Sequence, residues 1–189
     1  MTRPGLDSRA SDFGLSSDFG FRTSDLPPLA LIALGSNLGE SARLLHAAMD
    51  RLASLADGPL ARSSLWRSAP MDCPPGSRDF LNAVVAFHPC AETTPAQLLV
   101  ALQALEQEFG RVPKQRLNEA RPLDLDLLAF GSEVCHTPAL TLPHPRAHLR
   151  RFVLEPLNEL APKLILPGQS QTVGELLASL PPADCSRVV

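Results

Sequence analysis

With 189 residues, 44% of them hydrophobic, the chain fits one ordinary domain with a sizeable core, and its net charge of −3 excludes a global basic footprint for nucleic acid. No apolar run reaches the ~20 residues of a membrane-spanning helix. The cysteines Cys73, Cys90, Cys135 and Cys185 form no Cys-x-x-Cys pair and follow no secretory signal, which predicts a soluble cytoplasmic protein with reduced thiols used as small apolar fillers.

Residues 1–28 are rich in Ser, Asp and Gly, carry a small echo at Ser11-Asp12-Phe13-Gly14 and Ser17-Asp18-Phe19-Gly20, and show no helical or strand period. This composition predicts a disordered leader ending at Pro27-Pro28; the alternative is a short interaction arm using Phe13, Phe19 and Phe21. Leu29 to Leu34 is a continuous apolar run that suits a central strand covered on both faces. It leads into Gly35-Ser36-Asn37-Leu38-Gly39, a turn in which Asn37 or Ser41 would cap the next helix. Leu44, Leu45, Ala48, Leu52 and Leu55 give that helix its apolar face, and Asp57-Gly58-Pro59 stops it.

Ala61 to Arg67 reads as a second strand and Phe80 to Phe87 as a third, joined by a long Pro-rich loop from Ser68 to Ser77 of the kind that binds ligands. Asn82 falls on the face opposite Leu81, Ala83 and Val85, where its amide suits the edge of a flat heterocycle or an ordinary strand partner. A second helix has Thr94 as cap, Pro95 at its first position, an apolar stripe of Leu98, Leu102, Leu105 and Phe109, and Gly110 as stop. Gln103 and Glu106 sit three apart on a neighbouring face.

Arg111, Lys114, Arg116 and Arg121 then lead into Leu123-Asp124-Leu125-Asp126-Leu127, whose alternation predicts a strand with both carboxylates on one face and the leucines on the other. The pair is either a half-solvated strand face or a platform for a hard cation such as magnesium. The adjacent cations favour the platform, since a polyphosphate with its metal needs carboxylates for the ion and guanidinium groups for the oxygens. His144, held between Pro143 and Pro145 and followed by Arg146, Arg150 and Arg151, is a candidate phosphate contact. Phe152 to Leu160 and Val173 to Leu180, the latter capped by Thr172, read as the last helices.

Taken together, Gly35-Ser36-Asn37-Leu38-Gly39, Asp79-Phe80-Leu81-Asn82-Ala83-Val84, Leu105-Glu106 with Gly110-Arg111, and Arg121-x-Leu-Asp-Leu-Asp-Leu-Leu resemble the 6-hydroxymethyl-7,8-dihydropterin pyrophosphokinases of folate biosynthesis. So do Leu142-Pro143-His144-Pro145 and Arg151-Phe152-Val153-Leu154 with Pro156-Leu157. The blocks stand in the family's order over about residues 29–168. The resemblance implies an α+β, ferredoxin-like sandwich, a mostly antiparallel sheet with helices packed on it, in a pyrophosphokinase domain at 29–189. It implies transfer of the pyrophosphoryl group of ATP to the pterin's hydroxymethyl oxygen, leaving AMP.

By the same resemblance, Asp124 and Asp126 hold two magnesium ions, and Arg111, Arg121 and Asp126 are catalytic. Gln103, Glu106, Lys114, Arg121, Leu127, Thr141, His144 and Arg150 bind ATP, and Ser68, Met71, Phe80, Asn82 and Phe152 bind the pterin between two aromatic rings. The implied partners are ATP and 6-hydroxymethyl-7,8-dihydropterin, for a monomer engaging neither nucleic acid nor membrane. Departures from the family pattern are Phe80 for a common tyrosine, Pro113 for a basic residue, Asn118-Glu119-Ala120 for Trp-Gly-Pro, and Pro145 for an aromatic. Two other classes remain in view: a ferredoxin-like regulatory module that binds nucleotide without turnover, and a metal-dependent phosphohydrolase built on the Asp pair.

Overall fold

A computed structural model describes residues 27–71, 73–112 and 119–188. The strands are β1 (Ala30–Ser36), β2 (Ala61–Arg62), β3 (Trp66–Ser68), β4 (Phe80–Phe87), β5 (Asp124–Phe130), β6 (Cys135–His136), β7 (Thr141–Leu142) and β8 (Cys185–Arg187). The main helices are α1 (Ser41–Leu52), α2 (Pro95–Glu108), α3 (Arg151–Leu160) and α4 (Val173–Ser179). The antiparallel sheet runs β5-β1-β4-β3-β8 with β2 also on β4, and β6 pairs with β7 apart from it. Its first part, β1-α1-β3-β4-α2-β5, is the ferredoxin-like arrangement expected above.

β1 is central because its side chains find apolar cover on both faces. Ala30, Ile32 and Leu34 join Leu45, Ala48, Met49 and Leu52 of α1 and Leu98, Leu102 and Leu105 of α2 in one core. On the other face Leu31 packs with Val153, Leu154 and Leu157 of α3 and Val173 and Leu176 of α4. Each fully buried leucine contributes about 1.5–3 kcal/mol, so burial rather than helix propensity holds these helices down. On β5 the expected leucine face is present, since Leu123, Leu125 and Leu127 belong to the α1/α2 core. A bulge at Leu128 opposite Leu31/Ile32 then shifts the parity and brings Phe130 to that same core.

Several boundaries differ from expectation. The Ala61–Arg67 strand is broken into β2 and β3: Arg62 pairs with Val85 but Trp66 with Asn82, four residue steps against three, a β-bulge. Ser63 makes the break, because its Oγ accepts from Val84 N at 2.9 Å where a backbone carbonyl would otherwise stand. Ser68 therefore ends β3 instead of opening a loop. Neither Asn37 nor Ser41 caps α1: Glu40 is the N-cap residue, Ser41 Oγ accepts from Ser36 Oγ at 2.8 Å, and Asn37 is committed elsewhere. β8 was not expected, because Cys185-Ser186-Arg187 has no apolar pattern. It is an edge strand on β3, and Arg187 meets Glu159 of α3, whose carboxylate also accepts from Ser64 and from Trp66 Nε1. Residues 1–26 of the expected leader lie outside the described residues; its last two, Pro27 and Pro28, place their carbonyls on His88 Nδ1.

Candidate active site

Sheet register brings the candidate residues together. Gly35 pairs with Asn82 on β4 and with Asp124 on β5, and Ala33 pairs with Val84 and Asp126. Alternation puts these residues on the face opposite the α1/α2 core. Two small residues of the central strand, Ala33 and Gly35, thus form a floor, with an amide and an aromatic ring to one side and two carboxylates to the other. An open cleft of about 210 Å³ stands on this floor, lined among others by Phe80, Asn82, Asp124, Asp126, Arg121 and Phe152. A Cβ added to Gly35 would stand 3.6 Å from Asn82 Oδ1 and 3.9 Å from Asp124 Cβ, so any larger side chain here would fill the cleft's centre.

The charged wall is assembled by the end of α2. Thr94 and Gln97 form a reciprocal capping box at its start, and Gly110 at φ +87° stops it. Gly110 N donates to Gln107 O and Arg111 N to Glu106 O, a Schellman turn that throws Arg111 back over the helix end. Arg111 Nη1 donates to Glu106 Oε1 and lies 3.0 Å from Asp124 Oδ1, while Arg121 Nη1 takes the other oxygen, Oδ2, at 2.9 Å. Glu106 Oε1 also accepts from Leu125 N at 2.7 Å, tying the helix to the strand between the two aspartates. Burial is the main influence raising the Glu106 pKa, opposed by the Leu125 hydrogen bond and the Arg111 charge.

Asp126 keeps a side chain 43% exposed toward the cleft, with Arg150 Nη1 3.9 Å from its Oδ2. Its pKa is raised, first by desolvation against the cleft walls and then by the like charge of Asp124; His144, Arg150 and Arg121 pull the other way. His144 hangs on β5 through His144 N to Leu128 O at 2.8 Å, and its Nδ1 accepts from Arg146 N at 3.2 Å. That hydrogen bond assigns the ring proton of the neutral imidazole to Nε2. Burial lowers the His144 pKa, with Arg150 and Arg146 adding to it against Asp126.

The other wall is neutral. Asn82 Nδ2 donates to Ser68 Oγ at 2.9 Å and to Trp66 O at 3.3 Å, which orients the amide. Phe80 and Phe152 both line the cleft, with Met71 at its rim, and the Arg150 guanidinium stands 5.5 Å from the Phe152 ring centroid.

Of the residues singled out from sequence, Ser68, Met71, Phe80, Asn82, Phe152, Arg121, Asp124, Asp126 and Arg150 line one cleft. Glu106 and Arg111 stand behind Asp124, and Glu106 is buried while its helix neighbour Gln103 is exposed, so the two do not share a face. Leu127 puts its side chain into the α1/α2 core, leaving its backbone for any ligand, and Thr141 lies in the β6–β7 pair. Lys114 falls outside the described residues. Sequence reasoning missed Ala33 and Gly35 as the floor, and Cys73, Arg146 and Leu149 as lining. The one signal for the floor was a glycine at the end of the central strand.

Residues 31–162 match the model of the family described as 7,8-dihydro-6-hydroxymethylpterin-pyrophosphokinase (HPPK). The 2-amino-4-hydroxy-6-hydroxymethyldihydropteridine pyrophosphokinase of Haemophilus influenzae is 42% identical over 149 residues, covering 78% of this chain and 90% of that protein. The protein of the same name from Pseudomonas aeruginosa is 42% identical over 151 residues, covering 79% and 90%. The crystal structure of Plasmodium falciparum HPPK-DHPS superposes on 81% of this chain with a TM-score of 0.63 at 14% identity, a likeness of fold, and this chain spans 44% of that protein's length. The chain belongs to the 7,8-dihydro-6-hydroxymethylpterin-pyrophosphokinase family.

Proposed function

We propose that the chain transfers the β,γ-pyrophosphoryl unit of ATP to the hydroxymethyl oxygen of 6-hydroxymethyl-7,8-dihydropterin in folate biosynthesis, with residues 29–189 as the catalytic domain. The observation that supports this most is the division of one cleft floor, Gly35 and Ala33, between an amide–aromatic wall and a carboxylate–arginine wall. A flat heterocycle suits the first wall: Phe80 and Phe152 offer ring faces, and the oriented Asn82 amide reads an edge of the ligand. A polyphosphate suits the second, where Arg121 and Arg150 supply donors at the lining, with Arg111 behind Asp124 and the Nε2–H of His144 at a second cavity beyond Asp126.

The carboxylates fit magnesium. Asp124 and Asp126 project from one strand face roughly 7 Å apart along the chain. Among the described residues no group of three or more His, Cys, Asp or Glu completes a protein cage, so phosphate oxygens and water would make up the octahedral set. Two ions held there would neutralise the triphosphate and polarise the β-phosphorus. In the transfer, the pterin hydroxyl oxygen bonds to the β-phosphorus, the bond from that phosphorus to the oxygen bridging it to the α-phosphorus breaks, and AMP leaves with that oxygen. Asp126, standing on the cleft floor beside Asp124, orients the hydroxyl and accepts its proton. Arg111 and Arg121 exchange Asp124 oxygens for phosphate oxygens and hold the charge spread over the transferred group. Positioning and charge neutralisation do most of the work, as phosphoryl-type transfer requires.

The reading extends to a monomer acting in the cytoplasm on small molecules, without nucleic acid or membrane; the four free thiols support a reducing compartment. Among the described residues no helix is long and apolar enough to cross a membrane. Incubation with ATP, magnesium and the pterin is expected to yield AMP, and omission of either magnesium or pterin to yield none. Unchanged ATP in the complete mixture would point instead to a binding module, and phosphate release without pterin to a phosphohydrolase.

A further inference from the structure

The turn that closes β1 has work beyond its shape. Asn37 is 4% exposed and makes a two-point clamp on a residue 84 positions away: Asn37 N donates to Arg121 O at 3.2 Å, and Asn37 Oδ1 accepts from Arg121 N at 2.9 Å. Both backbone polar groups of Arg121 are therefore taken by one residue rooted at the end of the central strand. Arg121 lines the cleft, its side chain is 14% exposed, and one guanidinium nitrogen rests on Asp124 at 2.9 Å. Its Nε is buried and meets no partner among the described residues, so the guanidinium keeps a donor that the fold does not use.

Asn37 itself shows the same imbalance. Its Nδ2 is buried without a partner among the described residues, a cost against folding that a residue chosen for stability alone would avoid. What the amide supplies is the accepting oxygen under Arg121. We infer that Asn37 is a positioning residue: it fixes the main chain of Arg121 at the floor's edge, so that the guanidinium reaches the transferred phosphates from a preset origin. This makes the end of β1 a two-part device, with Gly35 clearing the floor and Asn37, just past the strand, anchoring the arginine beside it. The inference rests on the proposed role of Arg121 in the transfer.

A double-mutant cycle tests it, with kcat and both KM values from AMP release and thermal melts of every variant. Asn37→Ala is expected to lower kcat on the order of 10- to 100-fold, as displacement of a catalytic group does, and to leave both KM values within about threefold, the split expected of a group that acts in the transition state. In an Arg121→Ala background the same change is expected to lower kcat by less than about twofold, because a residue acting through Arg121 has nothing left to position. Asn37→Asp, which keeps an accepting oxygen under Arg121 N and puts a second, charged oxygen in place of the unpartnered nitrogen, is expected to recover part of the rate. Losses that multiply in the double variant, or an Asn37→Ala rate within about twofold of the parent, overturn the inference. An Arg121→Ala variant with undiminished kcat overturns the role of Arg121 itself, and the inference with it. If Asn37→Ala melts below the assay temperature, Asn37→Ser, whose side chain ends one heavy atom short of Arg121 N, takes its place in the cycle with the same two outcomes.

Discussion

The two walls of the cleft stand on the two neighbours of one strand, yet they are held in place by different means. On β4 the neutral wall is held by amide hydrogen bonds across the sheet: Asn82 donates to Ser68 and Trp66 on the adjoining strand, and nothing on that wall carries a charge that needs an answer. On β5 each carboxylate is answered by arginine charge, Asp124 by Arg111 beyond α2 and by Arg121 three residues before it, and Asp126 by Arg150 ahead of α3. A ring-binding surface gains from being rigid and pre-oriented. A surface for a tetra-anion with its metals has to let its own ion pairs exchange partners when the ligand arrives, and arginines on loop ends permit that.

Breaking the charged wall should have the largest effect. Asp126→Asn is expected to lower AMP release roughly 10²- to 10³-fold, the scale of removing a central electrostatic contributor, without loss of fold. The sign of its stability change follows from the shift. The pKa of Asp126 is raised above 3.8 in the folded chain, so at neutral pH folding holds an ion it would sooner keep protonated, a cost relieved only as pH falls through the raised value. Asn removes that cost, and a thermal melt without ligands should show the variant at least as stable as the parent.

Breaking the neutral wall should instead change recognition. Asn82→Leu is expected to raise the KM for the pterin roughly 10- to 100-fold, as when a polar ligand edge loses its partner, and to leave the KM for ATP nearly unchanged. Equal rises in both would mean that the walls are not separate. Gly35→Ala probes the floor between them. Its Cβ meets Asn82 Oδ1 at 3.6 Å and Asp124 Cβ at 3.9 Å, ordinary contacts, so the fold should stand, while pterin binding measured by fluorescence titration should weaken about tenfold, the price of a methyl in a fitted site.

The smallest expected effect is at His144. Its folded pKa lies below the ordinary 6.5, so as pH falls from about 6.5 the unfolded chain takes up a proton that the folded chain refuses, and stability declines. Replacing it with Gln should flatten the decline in Tm between pH 7 and pH 5 by about 1–3 °C. An unchanged pH profile would remove His144 from the charged wall's electrostatics.

What could be read from the sequence divides along physical lines. Short-range periodicity was legible: the alternation at Asp124 and Asp126, the α2 stripe, and the caps at Thr94 and Thr172 all stand where local pattern put them. Pairings between distant segments were not. Asn37 looked like a helix cap because nothing near it in the chain shows that Arg121 will take its oxygen. Gly35 looked like turn chemistry because its neighbours across the sheet, Asn82 and Asp124, are set by register. The break at Ser63 depends on a hydroxyl replacing a carbonyl in the ladder, and β8 on an edge left open by β3, and neither leaves an apolar signature.

The division of the cleft is tested most directly by phosphorus NMR of the complete reaction with ATP, magnesium and 6-hydroxymethyl-7,8-dihydropterin. Two coupled phosphorus resonances of a pterin diphosphate, growing in step with the single resonance of AMP, are expected. ADP with a pterin monophosphate, or inorganic phosphate with the pterin untouched, would contradict the assignment of the two walls to one pyrophosphoryl transfer.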